Sequence, residues 1–236
     1  MIAIFKREMQ SYFTSPIGYV YIGVFAMLNS FLFAAFTLLE GASSSMGTYF
    51  YASMFLFIIL IPILTMKSLS EERRMRTEQL LLTAPVGLMS MIFAKFFAAF
   101  TMFGGTYVIL NMLNISFLYK YGTPNTAVIL GSILGVLLVG AAFIAIGMFL
   151  SALTENQMVA AIGTMGAILF LLVIDLLNSF IGTETVRNIL SWISVMSRFS
   201  NFSYGIFDFS ALLYYFSVCF IFMFLTVRVY DKRRWS

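Results

Sequence analysis

The sequence predicts an all-α membrane protein with six transmembrane helices, and composition and the spacing of apolar runs support this. Of its 236 residues, 61% are hydrophobic and 10% are charged, whereas a soluble domain has about 25% charged residues. Mean hydropathy is +0.96, an apolar excess too large for one globular core. A helix needs roughly 20 apolar residues to cross a bilayer. We therefore predict spans at 16–39, 49–66, 88–119, 126–150, 158–180 and 209–230.

The first 14 residues are predicted to form an amphipathic helix in the headgroup plane, ahead of the first span. Its apolar face consists of Ile2, Phe5, Met9, Tyr12 and Phe13. The polar side chains Lys6, Arg7 and Gln10 lie largely on the other face. The alternative is a plain polar overhang. The apolar run that follows is too long for the core of a cleaved signal peptide and lacks a small-residue cleavage site.

Three details of the spans follow from residue type. Pro62 predicts a kink near the end of the second span. Lys95, near the start of the third, is expected to extend its ammonium group to the membrane surface. Aromatic residues near span ends predict belts at the two interfaces. They are Tyr19, Tyr49, Tyr51, Tyr119, Tyr121, Trp192, Tyr230 and Trp235.

The distribution of basic residues predicts the orientation, because cytoplasmic segments carry an excess of lysine and arginine. With the N-terminus inside, only Lys120, Arg187 and Arg198 of the 14 basic residues fall on the outer side. Six spans then place both termini in the cytoplasm. The net charge of +4 is thereby explained by membrane orientation and inner-leaflet contact. It gives no support for nucleic-acid binding.

The segment 67–86 joins the second and third spans, and charged residues crowd its first half. Glu72 and Arg76 are four residues apart, a spacing that lets them pair on one helical face. Such a helix would lie against the membrane with its charged side toward the cytoplasm, where a partner could press on it. The alternative is an ordinary basic cytoplasmic loop.

Asp175 is the only acidic residue well inside a predicted span, and Asn178 follows it within one turn. Carboxylates in membranes are costly and are functional-site candidates. We consider both residues candidates for a substrate path. The alternative is a structural role near the outer end of the span, through protonation, water access or pairing with Arg187 or Arg198.

The outer segment 181–208 is too short and too polar to supply two further spans. A helical apolar stripe runs through its first half, and Asn201, Ser203 and Gly205 favour a turn in its second half. An ordinary outer loop is the alternative. Asn201 and Gly205 join Asp175 and Asn178 as candidates for a path or gate.

Small residues in the spans predict close helix packing. Gly131 and Gly135 form a G-x-x-x-G pattern in the fourth span, and packing within one subunit explains it better than a dimer seam. The pair Gly104–Gly105 and the group Gly163, Gly166 and Ala167 suggest the same.

Several kinds of active site are disfavoured by composition. The single cysteine and the lack of histidine leave little from which to build a disulfide framework, a zinc or haem site, or a histidine base. The 16 methionines are scattered and suit flexible apolar filler. No G-x-x-x-x-G-K-[ST] run is present, so this chain has no P-loop. No catalytic site is predicted.

Three motifs, in order, resemble one family. Residues 71–86, E-E-R-R-M-R-T-E-Q-L-L-L-T-A-P-V, are similar to the loop between the second and third spans of ABC-2-type permeases, with Arg76 where glycine is usual. The link 151–157, S-A-L-T-E-N-Q, is the second match. The third, 198–208 with Tyr214, Tyr215 and the terminal 233–235, most resembles gliding-motility-type permeases and the permease of nitrous-oxide-reductase maturation.

The resemblance implies a half-transporter in which two permease subunits pair above two separate ATPase subunits that bind ATP and Mg²⁺. Residues 67–86 would be the coupling helix, residues 151–157 a second ATPase contact, and residues 181–208 short reentrant helices capping the path. The implied coupling residues are Glu71, Glu72, Arg73, Arg74, Arg76, Thr77, Glu78, Thr154, Glu155, Asn156 and Gln157. No cofactor is expected on this chain itself.

The implied setting is a bacterial or archaeal cytoplasmic membrane, with the bilayer and a second permease, as a homodimer, for partners. An extracytoplasmic accessory protein is a further partner that the resemblance allows. Two other functions stay open. One is an ATPase-driven mechanical or scaffold component of an envelope complex. The other is a secondary transporter or channel, although the spans carry few charges and show no inverted repeat.

Overall fold

The computed structural model describes residues 1–38, 46–75, 87–121, 125–178, 192 and 194–234, except for the side chains of 121, 175–178 and 234. Within these residues the chain is helical and contains no strand. Six helices are long and apolar enough to cross a membrane, which confirms the predicted fold class. They are Pro16–Leu38, Met46–Arg74, Leu88–Lys120, Thr126–Leu153, Gln157–Ile174 and Phe209–Arg233.

The chain begins with α1, Ile2–Thr14, and α2, Pro16–Phe33, separated by a single extended residue, Ser15. Proline disfavours helical geometry in the residue before it, and Ser15 has φ −85° and ψ 140°. The Ser15 side chain accepts a hydrogen bond from the Ile17 amide at 3.2 Å, which caps α2. A short π-helix, Ala34–Leu38, extends α2.

The second span is α3, Met46–Thr65, and it continues through Pro62. The Met66 amide donates to the Pro62 carbonyl at 2.8 Å, so the helical ladder is intact beyond the proline. After a short turn comes α4, Ser70–Arg74, the described part of the segment 67–86. The third span is α5, Leu88–Tyr121.

The fourth and fifth spans are α6, Thr126–Leu153, and α7, Gln157–Asn178. The link between them is shorter than the predicted 151–157, because α6 includes Ser151 and α7 begins at Gln157. The Asn156 side chain accepts from the Met158 amide at 2.9 Å and thereby caps α7.

The chain ends with α8, Val195–Ser203, and α9, Phe209–Arg234. The predicted basic tail is therefore helical through Arg234. Of the outer segment 181–208, only 192 and 194–208 lie within the described residues. We call the end of the bundle that holds α4 and the α6–α7 link the coupling end, and the end that holds α8 the far end.

The central element is α6, which packs against α3, α5, α7, α8 and α9. A Cβ atom at Gly135 would lie 2.9 Å from the Phe199 ring, and one at Gly131 would lie 2.8 Å from the Phe202 carbonyl oxygen. The G-x-x-x-G pattern thus lets α8 approach α6 within this chain, as predicted. At Gly105 and Gly166 an added Cβ would meet no atom of the described residues within 4 Å, so within this part of the chain the same prediction is wrong.

The prediction of aromatic belts is wrong for two tyrosines. Tyr19 and Tyr119 are 62% and 51% exposed, as a belt requires, but Tyr49 and Tyr230 are each 1% exposed. Both buried side chains lie inside the bundle because neighbouring helices cover them, which sequence position near a span end does not reveal.

Candidate functional site

At the coupling end, α4 contacts four other helices, namely α1, α5, α6 and α7. The Ser151 hydroxyl of α6 accepts hydrogen bonds from the amides of Leu69 and Ser70 at 3.3 and 3.1 Å. It donates to the Met66 carbonyl at 3.3 Å. The first amides of a helix lack partners within it, so a side chain from another span completes the start of α4. The polar character of Ser151 was apparent from the sequence, but this partner was not.

An ion cluster around a buried lysine joins α4 to α1 and α5. The Lys95 ammonium lies 2.8 Å from Glu72 Oε1, 3.0 Å from Glu8 Oε1 and 3.0 Å from the Ser68 carbonyl oxygen. Arg7 Nη2 lies 3.1 Å from the same Glu72 oxygen and 2.9 Å from that of Glu8. Two cations and two anions balance, and all three ammonium donors of Lys95 have an acceptor.

The prediction that Lys95 reaches the membrane surface is wrong, since its side chain is only 2% exposed. Glu8 and Glu72 approach from two other helices and neutralise it in place. A buried ammonium group is tolerated when it is paired and hydrogen-bonded in this way. The sequence held a signal for this arrangement, namely a lysine inside a span and acidic residues in two neighbouring segments.

The cluster keeps Glu8 ionised. Burial alone would raise the pKa of this carboxyl group, but the nearby charges of Lys95 and Arg7 and their hydrogen bonds outweigh it, and the pKa is lowered. The hydrogen bond to Glu8 likewise raises the pKa of Arg7. Charged side chains on both sides therefore stabilise one another at neutral pH.

A second ion pair joins α4 to the α6–α7 link. Arg73 Nε lies 2.9 Å from Glu155 Oε1, and Arg73 Nη1 donates to the Leu153 carbonyl at 3.0 Å. Arg233 Nη2, at the end of α9, donates to the neighbouring Ala152 carbonyl at 2.7 Å. The two segments that the sequence predicted as separate ATPase contacts are thus in direct contact with each other.

The remaining predicted coupling residues divide into three groups. Thr154 and Asn156 build the link, since the Thr154 hydroxyl oxygen accepts from the Asn156 amide at 3.1 Å. Glu71 lies 3.8 Å from Lys67 in an exposed pair, Arg74 is exposed, and Gln157 begins α7. Arg76, Thr77 and Glu78 lie outside the described residues, and so does the predicted Glu72–Arg76 pair.

At the far end, Asn201 and Gly205 form the turn between α8 and α9. The Asn201 amide nitrogen donates to Asp208 Oδ2 at 2.8 Å, and the Asn201 carbonyl accepts from the Ile206 amide at 2.9 Å. Gly205 has φ +77°, a conformation that favours glycine, and it abuts the backbone of Ala127. Asp208 caps α9 by accepting from the Ser210 amide at 2.8 Å.

Asp175 and Asn178 lie in the last turns of α7, but their side chains are outside the described residues. Their predicted role in a path therefore stays a prediction. The hydrogen bonds of Asn201 and the conformation of Gly205 explain both residues structurally, and a role in gating is not needed to account for them.

A polar cluster inside the first three spans escaped sequence reasoning. Tyr49 donates to Asn111 Oδ1 at 2.7 Å, and its oxygen lies 3.0 Å from the carboxamide of Asn29. The Asn111 amide nitrogen donates to the Tyr107 carbonyl at 2.9 Å. All four side chains are buried. Asparagines in otherwise apolar spans were the available signal, because polar groups at membrane depth need partners.

Among the described residues, no group of three or more acidic or cysteine side chains could hold a metal ion. The sequence model described as "ABC-2 family transporter protein" matches residues 2–235, nearly the whole chain. The chain belongs to this family. The permease is accordingly a multi-pass integral membrane protein, and its family is one of membrane subunits associated with an ABC ATPase. No curated protein matches it in a sequence comparison.

Proposed function

We propose that this permease couples ATP hydrolysis by a separate ATPase subunit to the export of a substrate across the cytoplasmic membrane. ATP and Mg²⁺ would bind to the ATPase, and α4 with residues 75–86 would receive its movement. Residues 154–157 would form a second contact with the same partner. Family membership supports the permease role, and the contacts of α4 support the path of coupling.

The observation that carries the proposal is that two adjacent residues of α4 form ion pairs on different sides of the bundle. Glu72 bonds to Lys95 of α5 and Arg7 of α1, whereas Arg73 bonds to Glu155 beyond α6. A force applied to α4 would therefore reach both sides of the bundle at once. Packed helices linked in this way move as rigid bodies, which is the mechanical requirement for coupling.

The coupling end also presents side chains that a partner could contact. The Glu155 side chain is 61% exposed even though it pairs with Arg73, and Met75 at the end of α4 is 66% exposed. Arg74 is exposed beside them. An ATPase surface would meet Arg74 and Met75 at the end of α4 and Glu155 in the adjoining α6–α7 link.

The proposal extends to assembly and orientation. Two copies of the permease would pair as a homodimer, with both termini in the cytoplasm and the basic coupling end facing the ATPase. The motifs at 198–208 and 233–235 favour the gliding-motility and nitrous-oxide-reductase-maturation groups within the family. An accessory protein on the outer side is part of the proposal. Asp175, Asn178, Asn201 and Gly205 remain candidates for the substrate path.

The experiment that tests coupling is copurification of the tagged permease with P-loop ATPases from the organism that encodes it, followed by ATPase assays of the complex. We expect a stable complex whose ATPase activity depends on the permease. A permease that recruits no ATPase, and whose Glu72 variants behave as wild type, would contradict the assignment.

Reconstituted transport then separates the alternatives. ATP-dependent substrate movement supports export. ATPase stimulation with no substrate movement indicates the mechanical or scaffold function, and movement without an ATPase indicates a secondary transporter. For the path, Asp175→Asn should leave assembly intact and abolish substrate-stimulated ATPase activity, whereas unchanged transport would remove Asp175 from the path.

A further inference from the structure

An apolar groove at the membrane-facing surface lies between α6, α7 and α9 and is closed at its far end by the start of α8. Its volume is about 390 Å³, and its wall includes Phe143, Phe149, Phe170, Val218 and Phe222. Phe170 is 62% exposed, so the groove opens to the outside of the bundle. We call it the far groove.

The wall of the far groove indicates what can fill it. The described residues that line it are apolar apart from the hydroxyl groups of two tyrosines, and one of these, Tyr215, already donates to the Val195 carbonyl at 2.8 Å. Water needs two to four polar partners, so it gains little here, whereas an apolar cavity of about 150 Å³ accepts a benzene ring. A groove more than twice that size, open at membrane depth, suits part of a lipid acyl chain.

A cation lies at the far mouth of the groove. The Arg198 guanidinium group stacks over the ring of Tyr214, a lining residue, with its central carbon 4.8 Å from the ring centroid. Arg198 Nη1 donates to the Ser210 hydroxyl at 3.2 Å, and Nε is buried without a hydrogen-bond partner in the described part of the chain. Arginine carries five N–H donors, and one of those of Arg198 has a hydrogen-bond acceptor among the described residues.

No carboxylate of the described residues lies within the 4.0 Å of Arg198 that an ion pair requires. The nearest acidic residue along the chain, Asp208, accepts hydrogen bonds from Asn201 and from the start of α9. These hydrogen bonds are the main cause of the lowered pKa of Asp208, and the charge of Arg198 adds to the effect from beyond ion-pair distance. Arg198 lies beside Ser210, at the start of the sixth span, and a planar guanidinium group at the end of a span suits a phosphate group.

We propose that the far groove holds one acyl chain of a resident glycerophospholipid whose phosphate is bound by Arg198. Tyr214 connects the two parts of this site, because its ring forms the groove wall on one side and carries the guanidinium group on the other. This inference does not depend on ATP coupling or on the nature of the exported substrate.

A second groove provides a matched comparison. It lies between α5, α6 and α9, has a volume of about 410 Å³, and is lined by apolar side chains such as Phe100, Leu137 and Phe216. None of its described lining residues is charged. A lipid held by hydrocarbon contact alone should occupy both grooves, whereas a lipid held through its phosphate should prefer the far groove.

The test is native mass spectrometry of the delipidated permease with added phosphatidylglycerol or with diacylglycerol of the same chains. We expect the wild type to retain one phosphatidylglycerol in preference to diacylglycerol. Arg198→Gln should weaken phosphatidylglycerol retention roughly tenfold, the loss typical of one charged hydrogen bond, and leave diacylglycerol unchanged. Ala167→Phe, which fills the far groove, should weaken both, and Ala141→Phe in the second groove should weaken neither.

Several outcomes would overturn the proposal. One is equal retention of phosphatidylglycerol by the wild type and by Arg198→Gln, with thermal unfolding showing that the variant is folded. Another is an equal effect of Ala167→Phe and Ala141→Phe, which would indicate nonspecific lipid. A third is that Asp175→Asn and Arg198→Gln lower thermal stability by the same amount without changing lipid retention. The Arg198 guanidinium group would then pair with the Asp175 carboxylate and not with a phosphate.

Discussion

The Lys95 ammonium lies 2.8 Å from Glu72 Oε1, and this contact fastens the third span to the helix that follows the second. Glu8 of α1 binds the same ammonium at 3.0 Å, so three helices meet at one buried cation. The coupling end is therefore held by charges inside the protein, next to exposed charges that are free to meet a partner.

Removing Lys95 should destabilise the permease strongly. Lys95→Met leaves the carboxylates of Glu8 and Glu72 without their central cation, and breaking a buried pair in this way costs about 3–5 kcal/mol. Thermal unfolding in nanodiscs should show a large drop. Lys67→Met is the matched control, because Lys67 pairs with Glu71 at 3.8 Å on the surface and such pairs contribute roughly 0.3–0.5 kcal/mol. Equal shifts for the two variants would contradict the cluster.

The Arg73–Glu155 pair should matter more for coupling than for stability. Both side chains are partly exposed, so Arg73→Glu should change the unfolding free energy by about 1 kcal/mol or less. If the pair transmits movement, permease-dependent ATPase activity should fall roughly fivefold or more. The double variant Arg73→Glu with Glu155→Arg should restore it.

The control for that experiment is an exposed pair outside the coupling residues. Arg228 and Asp231 lie 3.8 Å apart on α9, and exchanging their charges should leave the ATPase activity unchanged. Failure of the Arg73–Glu155 exchange to rescue, with a well-folded protein, would show that the pair does not carry coupling.

Acid should release α1 from the cluster only below the ordinary pKa of a glutamate. The pKa of Glu8 is lowered from 4.5, so the stability that its charge contributes is fully present above pH 4.5 and is lost as pH falls through the lowered value. Thermal unfolding of the wild type and Glu8→Gln, compared from pH 7 to pH 3, should differ by a constant amount above about pH 4.5 and converge below it. Convergence already near pH 6 would contradict the assignment.

The buried hydroxyl of Tyr49 should contribute measurably to stability. Tyr49→Phe removes the 2.7 Å hydrogen bond to Asn111, and hydrogen bonds within membrane helices contribute about 0.6–1.7 kcal/mol. Tyr19→Phe is the control, because Tyr19 is 62% exposed. Thermal unfolding should separate the two variants, and no difference between them would show that the cluster adds nothing to stability.

Two glycines should respond oppositely to alanine. Gly135→Ala places a methyl group 2.9 Å from the Phe199 ring, and overpacking of this kind costs about 1–3 kcal/mol. Gly166→Ala meets no atom within 4 Å in the part of the chain that the structure describes, and it gains up to about 1 kcal/mol of helix propensity. Thermal unfolding should therefore move in opposite directions. A stabilised Gly135→Ala would mean that α8 does not pack against α6 as described.

The starts of several helices can be predicted from the polar residues that lie between apolar runs. Ser15, Asn125, Asn156, Ser194 and Asp208 each accept a hydrogen bond from an amide at the start of the next helix. Such caps are local and can be predicted from residue type. The position of a long charged side chain cannot be predicted from its sequence neighbours in the same way. The Lys95 side chain is long enough to reach either the membrane surface or a partner inside the protein.

The sequence by itself determined six apolar runs, the short polar breaks between them and the family to which their motifs belong. Those properties depend on residues close together in the chain and on the thickness of a bilayer. Only the tertiary structure decided that Glu72 meets Lys95 and Arg7, that Arg73 meets Glu155, and that Tyr49 lies inside the bundle. Each of these contacts joins residues far apart in sequence, so its partner is set by how helices pack, which no local pattern encodes.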